Sequence, residues 1–288
     1  MESKTKERAD LLLVEQGLAP SREKARAMIM AGQVYDGTKR IDKAGEKVDT
    51  SCFLQIKGQS LPYVSRGGYK LAKALEVFPL DLTGKTMLDI GASTGGFTDC
   101  ALQNGAAKVY AVDVGYGQLD WKLRQDPRVI VREKTNARYL TSEELGEEID
   151  FVTIDVSFIS LDKILPVLQS LLTAAGEGIA LIKPQFEAGR EQVGKKGVVR
   201  NPAAHETVLD KVLGQLPQQG LRAYGLTYSP IKGPEGNIEY LLWFGRKELD
   251  ESRQQETAGA APFQTADLVK EAFTVLAGES KGKENHYA

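Results

Sequence analysis

The sequence predicts an α/β protein with a seven-stranded, Rossmann-like sheet, preceded by a small N-terminal α+β domain. Short apolar segments alternate with helix-length segments through the second part of the chain, an order typical of a parallel, doubly wound sheet. Only a turn separates the last two apolar segments, so they are expected to pair antiparallel at the end of that sheet. The segment ahead of this pattern instead combines two short helices with short strands.

The composition of the chain excludes several classes of protein. Its 288 residues are 42% hydrophobic and 26% charged, which is typical of a globular protein of about two domains. No apolar run approaches the ~18 residues of a membrane span, and the polar start MESKTKERAD is unlike a secretory signal. The two cysteines and two histidines are too few for a disulfide framework or a cysteine- or histidine-based metal site. We therefore expect a cytoplasmic protein without a metal.

The net charge of −2 hides an uneven distribution along the chain. The first 70 residues contain 13 Lys and Arg against 9 Asp and Glu, so the remainder of the chain is acidic. A basic N-terminal segment on an acidic body is expected when a small domain binds a polyanion and the body has another task. Scatter of charge among solvated faces is the alternative explanation.

The N-terminal domain is predicted to span residues 7–60. The segment ADLLLVEQ has apolar residues at helical spacing, and Gly17 ends this first helix. Ser21 is placed to cap a second helix, REKARAMIM, which ends at Gly32. A strand, a tight DG turn and a return strand follow, and residues 52–57 are the last strand of the domain.

A linker and a leading helix are predicted over residues 61–84, ahead of the main domain at 85–247. The predicted strands of that domain are 86–90, 108–113, 128–131, 150–155, 178–183, 221–229 and 238–245. The predicted helices lie around 97–104, 118–125, 161–173 and 203–219. The antiparallel final pair departs from a dinucleotide-binding sheet and resembles the seven-stranded methyltransferase fold.

The tail, residues 248–288, is predicted to be partly disordered because most of it is polar. One helix within it is expected to dock through the apolar residues Leu268, Phe273 and Leu276.

A loop rich in small residues, DIGASTGG (89–96), joins the first strand of the main domain to a helix. Small residues let the backbone approach a ligand, and a helix N-terminus offers free amide groups. Asp113 ends the second strand, where a carboxylate can accept hydrogen bonds from ribose hydroxyls. The pattern is not GxGxxG, and it favours S-adenosylmethionine (SAM) over a nucleotide or no cofactor. The candidate cofactor-binding residues are Asp89, Gly91, Ser93, Thr94, Gly95, Gly96, Phe97, Asp113 and Asn136.

Charged residues cluster where several predicted strands end. Asp155 and Lys183 each follow a parallel strand, so both are expected to face the same crevice as Asp89. Glu239 begins the antiparallel final strand and therefore lies at the same edge, and Lys70 can reach the crevice from a helix packed beside it. Such a set suits removal of a hydroxyl proton, because a second lysine and partial burial favour the neutral form of a lysine base. Ordinary ion pairs at strand ends are the alternative.

The motifs SRGGYKL, LDIGASTGGFTDC, DFVTIDVSFISL, ALIKPQFE and GNIEYLLW resemble the TlyA family of ribosomal RNA 2′-O-methyltransferases, which is related to FtsJ-type enzymes. The resemblance implies methyl transfer from SAM to a ribose 2′-hydroxyl of ribosomal RNA, that of cytidine in family members. It also implies a catalytic tetrad of Lys70, Asp155, Lys183 and Glu239, with Lys183 as the base and Lys70 favouring its neutral form. Members of this family have also been described as hemolysins, but the sequence contains no segment suited to a pore.

The N-terminal domain is similar to the S4-type RNA-binding domain, whose hallmark here is SREKARAMIMAGQVYDG. Its basic residues are expected to contact phosphates, and a glycine-rich basic loop at 186–202 is expected either to hold the RNA backbone or to be a mobile surface loop. The candidate RNA-binding residues are Arg22, Lys24, Arg26, Lys39, Arg40, Arg66, Arg190, Lys195 and Lys196. A solvated helix face is the alternative for the first three.

The favoured function is therefore SAM-dependent ribose methylation, with ribosomal RNA or ribosomal subunits as partners and no membrane partner. A non-catalytic RNA- or ribosome-binding factor is the alternative from another class, and the complete tetrad and glycine loop argue against it. A membrane-active toxin is disfavoured, and base methylation is disfavoured because DVSF stands where such enzymes often have Asn/Asp-Pro-Pro-Tyr. The sequence leaves the oligomeric state open, with a monomer favoured.

Overall fold

The computed structural model describes residues 6–30, 32–37, 39–50, 52, 54–56, 62–246 and 263–278. The chain divides into two compact units at the boundary between Ser60 and Leu61. Parts of the predicted strand 52–57, of the linker and of the tail 248–288 lie outside the described residues.

Two helices and two small antiparallel sheets form the N-terminal unit. The helices are α1 (Ala9–Glu15) and α2 (Arg22–Met30). The strands are β1 (Lys6–Arg8), β2 (Val34–Asp36), β3 (Lys39–Arg40), β4 (Lys47–Asp49) and β5 (Leu54–Ile56). Strand β1 pairs with β4, and β2 lies between β3 and β5. Buried apolar side chains from both helices and from the strands form one core, among them Leu13, Ile29, Val34 and Ile41.

The predicted helix signals of this unit act as expected, whereas the strands β1 and β4 were not predicted. The Lys24 amide donates to Ser21 Oγ at 3.2 Å, which caps α2. Gly32 adopts a φ of +70° two residues after α2 ends, as glycine does readily. Strand β1, by contrast, consists of charged residues only and was not predicted.

The second unit contains a seven-stranded sheet with the strand order β11-β12-β10-β9-β6-β7-β8. Its strands are β6 (Thr86–Ile90), β7 (Lys108–Val112), β8 (Val129–Arg132), β9 (Ile149–Ile154), β10 (Leu172–Ile182), β11 (Arg222–Tyr228) and β12 (Tyr240–Gly245). Strands β6 to β10 pair in parallel, and β12 is antiparallel to both β10 and β11. The predicted fold class and the antiparallel final pair are therefore confirmed.

The helices of the second unit cover both faces of this sheet, and one of them is at the C-terminal end of the described chain. They are α3 (Gly68–Val77), α4 (Gly96–Gln103), α5 (Trp121–Arg124), α6 (Ser142–Leu145), α7 (Leu168–Leu171), α8 (Pro184–Glu187), α9 (Pro202–Gln215) and α10 (Thr265–Gly278). Helix α10 packs on α9 and buries Val269, Ala272 and Leu276, while Leu268 and Phe273 are partly buried against the same core.

Two predicted helices are wrong in extent. The segment 161–173 forms two short 3-10 turns and the single turn α7, because Pro166 has no N–H to donate to a continuous helix. The chain then enters β10 six residues before the predicted start of that strand. Helix α5 is also shorter than the predicted 118–125, because the Asp120 side chain caps it by accepting from the Lys122 amide at 2.9 Å.

The strand order places a crevice at the centre of the sheet. From β6 the chain proceeds outward through β7 and β8, and then crosses back to β9 on the other side of β6. Ligands of doubly wound sheets bind at such a reversal, outside the carboxyl ends of the strands. Gly91 and Asp155 follow the two strands that flank the reversal, and the Asp155 amide donates to the Ile90 carbonyl at 2.9 Å.

Hydrogen bonds to Asp89 connect three of the elements that border this crevice. It lies in β6 and is 1% exposed. Its carboxylate accepts from Thr98 Oγ1 of α4 at 2.6 Å and from Thr153 Oγ1 of β9 at 2.8 Å. Burial raises the pKa of Asp89 to about 6, although both threonine hydrogen bonds favour the ionised form.

We expect the stability conferred by Asp89 to fall as the pH rises. Because its pKa is higher in the folded chain than in the unfolded chain, its contribution is largest in acid and is lost as the pH passes about 6. The wild type should therefore lose roughly 1 to 2 kcal/mol of unfolding free energy relative to Asp89→Asn between about pH 5 and pH 8. Urea denaturation of both proteins across this range measures the difference, and a difference independent of pH would contradict the assignment.

Candidate active site

Two adjoining cavities open at the carboxyl ends of the central strands. The Asp113 cavity has a volume of about 450 Å³ and the Lys183 cavity about 620 Å³. Both are lined by Gly91, Ser93, Asp155 and Ser157, so one groove connects them. These volumes are typical of sites for small molecules.

The loop between β6 and α4 requires glycine at two positions. Gly91 has a φ of +85°, and a Cβ there would lie 2.4 Å from the Asp155 carbonyl oxygen. Gly95 has a φ of +93°, and a Cβ there would lie 2.2 Å from Leu123 Cδ1. The backbone of the loop therefore passes directly over the end of β9, and α4 starts at Gly96 with its free amides at the crevice.

The Asp113 cavity combines an apolar interior with polar groups at its rim. Asp113 accepts from the amides of Ser93 at 2.8 Å and Gly115 at 2.7 Å, one on each carboxylate oxygen. Asn136 lines the cavity, and its Oδ1 accepts from the Arg138 amide at 3.2 Å. Apolar side chains of the interior include Val112, Val156, Ile159 and Ile164.

The remaining candidates for cofactor binding divide between the cavities and the interior. Ser93 lines both cavities, and Thr94, Gly96 and Phe97 line the Lys183 cavity. Asp89 was expected to face the crevice, but the structure buries it beneath the loop. Its carboxylate turns to the hydroxyls of Thr98 and Thr153, because two donors in the interior compensate for its lost hydration.

The four predicted catalytic side chains meet in one chain of contacts. Lys183 Nζ lies 2.5 Å from Asp155 Oδ1, and Lys70 Nζ lies 3.4 Å from Asp155 Oδ2. Lys70 Nζ also donates to Glu239 Oε2 at 2.8 Å. Lys70 comes from α3, Asp155 and Lys183 follow β9 and β10, and Glu239 precedes β12. The tertiary structure thus brings together four residues that are far apart in the sequence.

The contacts make the two lysines unequal. Burial alone would lower the pKa of Lys70, but the carboxylates of Asp155 and Glu239 outweigh burial and raise it. Burial alone would raise the pKa of Asp155, but Lys70 and Lys183 hold it below its usual value. Lys183 contacts one carboxylate, and its Nζ also donates to Ser157 Oγ at 3.1 Å. Two carboxylates therefore hold Lys70 in its charged form, whereas Lys183 contacts a single carboxylate.

Three further residues of the site were not predicted. Ser157 accepts from Lys183, and Gln185 Nε2 donates to Glu239 Oε1 at 3.2 Å. Phe158 has a φ of +64° and is 91% exposed, which is unusual for an aromatic residue. Ser157 and Phe158 lie just after Asp155, and Gln185 lies just after Lys183. Their position near these strand ends could have identified all three from the sequence.

An aromatic groove of about 580 Å³ lies beside the four charged residues. The rings of Phe158 and Phe186 are 5.1 Å apart at their centroids, and Lys183 Nζ lies 5.9 Å from the centre of the Phe186 ring. Arg190 lines the same groove. The groove therefore offers planar and cationic groups to a ligand that also reaches Lys183.

The basic loop after α8 is exposed at its charged residues and anchored at its end. The Val199 amide donates to Asn237 Oδ1 at 3.3 Å, and His205 Nε2 donates to the Val199 carbonyl at 2.9 Å. Asn237 Nδ2 donates to the Gly197 carbonyl at 2.9 Å. The exposed cationic residues of the loop are Arg190, Lys195, Lys196 and Arg200. Arg66 is also exposed, and it lines the mouth of the Lys183 cavity.

The candidate RNA-binding residues of the N-terminal unit are all exposed, but most of them contact a carboxylate. Arg22 and Arg26 both reach the buried Asp10. Lys39 pairs with Glu46 and Arg40 pairs with Asp42, each at 2.6 Å. Lys24 lies between the two arginines on α2.

Across the residues that the structure describes, no helix has both the length and the apolar character needed to cross a membrane. The same residues contain no group of three or more His, Cys, Asp or Glu side chains that could hold a metal ion.

Comparison with known proteins identifies both parts of the chain. Residues 63–246 match the FtsJ-like methyltransferase family, and residues 7–51 match the S4 domain. The Mycobacterium tuberculosis protein TlyA, a 16S/23S rRNA (cytidine-2′-O)-methyltransferase, is 46% identical over 237 residues, which are 82% of this chain and 88% of that protein.

Two other relatives extend the similarity. YqxC of Bacillus subtilis, provisionally named an rRNA methyltransferase, is 56% identical over 255 residues, covering 87% of this chain and 91% of that protein. A solved structure of a provisionally named hemolysin from Streptococcus thermophilus superposes with a TM-score of 0.74 at 45% identity, covering 97% of this chain and 100% of that one. The chain therefore belongs to the TlyA family of FtsJ-like methyltransferases, with an S4 domain ahead of its methyltransferase domain.

Proposed function

We propose that this methyltransferase transfers a methyl group from SAM to the 2′-hydroxyl of a cytidine ribose in ribosomal RNA, with Lys183 as general base. One observation supports the chemistry most directly: the contacts among Lys183, Asp155, Lys70 and Glu239 end at a cavity that adjoins the glycine loop. The substrate class is supported by the S4 domain and by the TlyA relative, whose name specifies cytidine-2′-O methylation of rRNA.

The residues around the Asp113 cavity fit SAM. Each Asp113 oxygen that accepts an amide keeps a lone pair for a ribose hydroxyl, and the Asn136 amide group can donate to the edge of adenine. The apolar interior suits a planar ring. Gly91 lies close to Asp155 and has no side chain, so the methionine part can approach the backbone of the glycine loop. When bound, SAM supplies an electrophilic methyl group on a sulfonium.

Lys183 is better placed than Lys70 to accept the hydroxyl proton. Lys70 contacts two carboxylates, and its raised pKa keeps it protonated. Lys183 Nζ would accept the 2′-hydroxyl proton as the ribose oxygen attacks the methyl group that bound SAM would supply, with S-adenosylhomocysteine as the leaving group. Asp155 orients Lys183, and Ser157 offers its amine a second, uncharged partner.

The RNA would be held by cations at the mouth of the site and on the S4 domain. Arg66 lines the Lys183 cavity, and Arg190 lines the aromatic groove beside it. Guanidinium groups bind phosphate through paired N–H donors, and an exposed aromatic ring can stack on a base. A ribosomal substrate agrees with the cytoplasmic location that the sequence predicts.

Replacing Lys183 tests the base. Lys183→Ala should reduce methyl transfer to ribosomal RNA by at least roughly a hundredfold while SAM still binds, because the proton acceptor is lost and the Asp113 cavity is intact. The assay measures the incorporation of labelled methyl groups together with SAM affinity by calorimetry. Lys163→Ala, at an exposed lysine whose side chain lines neither cavity, serves as the control. Full activity of Lys183→Ala, or labelling of a base, would contradict the mechanism.

Replacing Phe158 tests the aromatic groove. Phe158→Ala should raise the KM for RNA roughly tenfold or more, since stacking of one base on an aromatic side chain is worth about 1–3 kcal/mol. Because Phe158 also lines the Asp113 cavity, SAM affinity is measured in parallel and the KM for RNA is determined at saturating SAM. Phe158→Tyr should retain the wild-type KM. Trp121→Ala removes another exposed aromatic ring as a control. An unchanged KM for Phe158→Ala would remove the groove from the RNA site.

Neutralising the three basic residues of α2 tests their role in RNA binding. The combined change of Arg22, Lys24 and Arg26 to Ala should weaken RNA affinity and flatten its dependence on salt. Each lost phosphate contact should lower the logarithmic salt slope by about 0.7–0.9. Fluorescence anisotropy with a ribosomal RNA fragment at several salt concentrations gives the slope. If the slope stays at the wild-type value, these residues do not contact phosphate.

A further inference from the structure

Three arginines of the S4 domain contact one buried carboxylate. Asp10 lies in the first turn of α1, and its side chain has no exposed surface. Arg8 donates to both of its oxygens, from Nε at 2.8 Å and from Nη2 at 3.0 Å. Arg22 Nη2 and Arg26 Nε reach Oδ2 at 3.2 Å and 3.3 Å. We call these four residues the Asp10 cluster.

The arginines of the Asp10 cluster remain available to a ligand. Their side chains are 37%, 51% and 53% exposed for Arg8, Arg22 and Arg26. Each guanidinium has five N–H donors, and the contacts with Asp10 use only one or two of them. Three positive charges around one negative charge leave the cluster with a net charge of about +2.

Two other candidate RNA-binding residues of the domain, Lys39 and Arg40, are arranged differently. Lys39 and Arg40 each pair with one carboxylate, Glu46 and Asp42, so those pairs have no net charge. The four residues of the Asp10 cluster instead carry a net positive charge at one place on the surface, although Glu7 and Glu23 lie nearby. A dense positive charge with outward N–H donors is complementary to the phosphate oxygens of RNA.

We propose that the Asp10 cluster is a phosphate-binding site for RNA, in which Arg8 is a contact residue and Asp10 is a positioning residue. This inference rests on the proposed RNA substrate and deepens it. Asp10 itself does not touch the RNA, because its side chain is fully covered by protein.

Asp10 would act by ordering the arginines before RNA arrives. Three guanidinium groups this close repel one another, and the shared carboxylate offsets that repulsion and restricts their rotamers. Ordering a long side chain on binding costs about 0.5–1.5 kcal/mol, and a contact that is already ordered avoids this cost. The hydrogen bond from Arg8, with support from Arg22, holds the pKa of Asp10 far below its usual value, so the carboxylate stays charged.

The experiment compares two substitutions that make the same change in formal charge. Asp10→Asn and Glu23→Gln each remove one negative charge from the S4 domain of the full-length protein, and Glu23 lies in the first turn of α2 beside Arg22. A charge effect alone would tighten RNA binding in both variants. Positioning by Asp10 predicts that Asp10→Asn binds a ribosomal RNA fragment roughly tenfold more weakly, while Glu23→Gln binds as tightly as wild type or more tightly.

A double substitution separates positioning from general damage. In the background of Arg22→Ala with Arg26→Ala, Asp10→Asn should cause a smaller further loss of affinity than it causes alone, because fewer arginines remain to be positioned. Asp10→Asn should also raise the KM for RNA while the turnover at saturating RNA stays at the wild-type value. RNA affinity of Asp10→Asn equal to or above that of wild type would overturn the proposal.

If Asp10→Asn unfolds the S4 domain, Arg8→Lys tests the proposed phosphate site instead. Lysine keeps the charge but cannot bind both Asp10 oxygens and a phosphate at once, so RNA affinity should fall roughly threefold or more. Wild-type affinity in Arg8→Lys, with an unchanged thermal unfolding midpoint, would overturn the role of Arg8. The fold-changes expected for these variants are measured as RNA affinities and do not depend on methyl transfer. Failure of the wild type to methylate ribosomal RNA would instead refute the proposed function.

Discussion

The candidate active site can be buried because positive and negative side chains alternate along one series of contacts. Lys183, Lys70 and Glu239 are nearly enclosed by protein and the Asp155 side chain is 20% exposed, so an isolated charge at the enclosed positions would be strongly destabilising. Because every ammonium faces a carboxylate, the cluster tolerates burial, and removal of one member would leave its neighbour unpaired. The same alternation distinguishes the lysines, since Lys70 lies between two carboxylates whereas Lys183 faces the cavity with one.

The order of the strands supplies the geometry of that cluster. Two of its members follow the parallel strands β9 and β10, and Glu239 precedes the antiparallel β12, so all three lie at one edge of the sheet. The crossover from β8 to β9 opens the crevice at the same edge. The loop after β6 passes within reach of Asp155 only because position 91 lacks a side chain. The cavity proposed for the cofactor and the proposed base are therefore adjacent as a consequence of topology.

Three aspartates of this protein have different surroundings and different tasks. Asp155 lies between two lysines in the site, Asp89 is enclosed by two threonine hydroxyls, and Asp10 collects three arginines in the S4 domain. Burial raises the pKa of Asp89, whereas neighbouring cations lower that of Asp155. The partners that fold around each group, rather than its residue type, decide its protonation and its task.

The sequence by itself determined the strand and helix alternation, the antiparallel final pair and the residues at the strand ends, because these depend on local periodicity and on the register of short apolar segments. Only the tertiary structure decided that Asp89 turns inward, that Phe158 is exposed with a positive φ, and that Gln185 contacts Glu239. Those features depend on contacts between residues distant in sequence, and the rotamer of a side chain at a strand end is set by what packs against it.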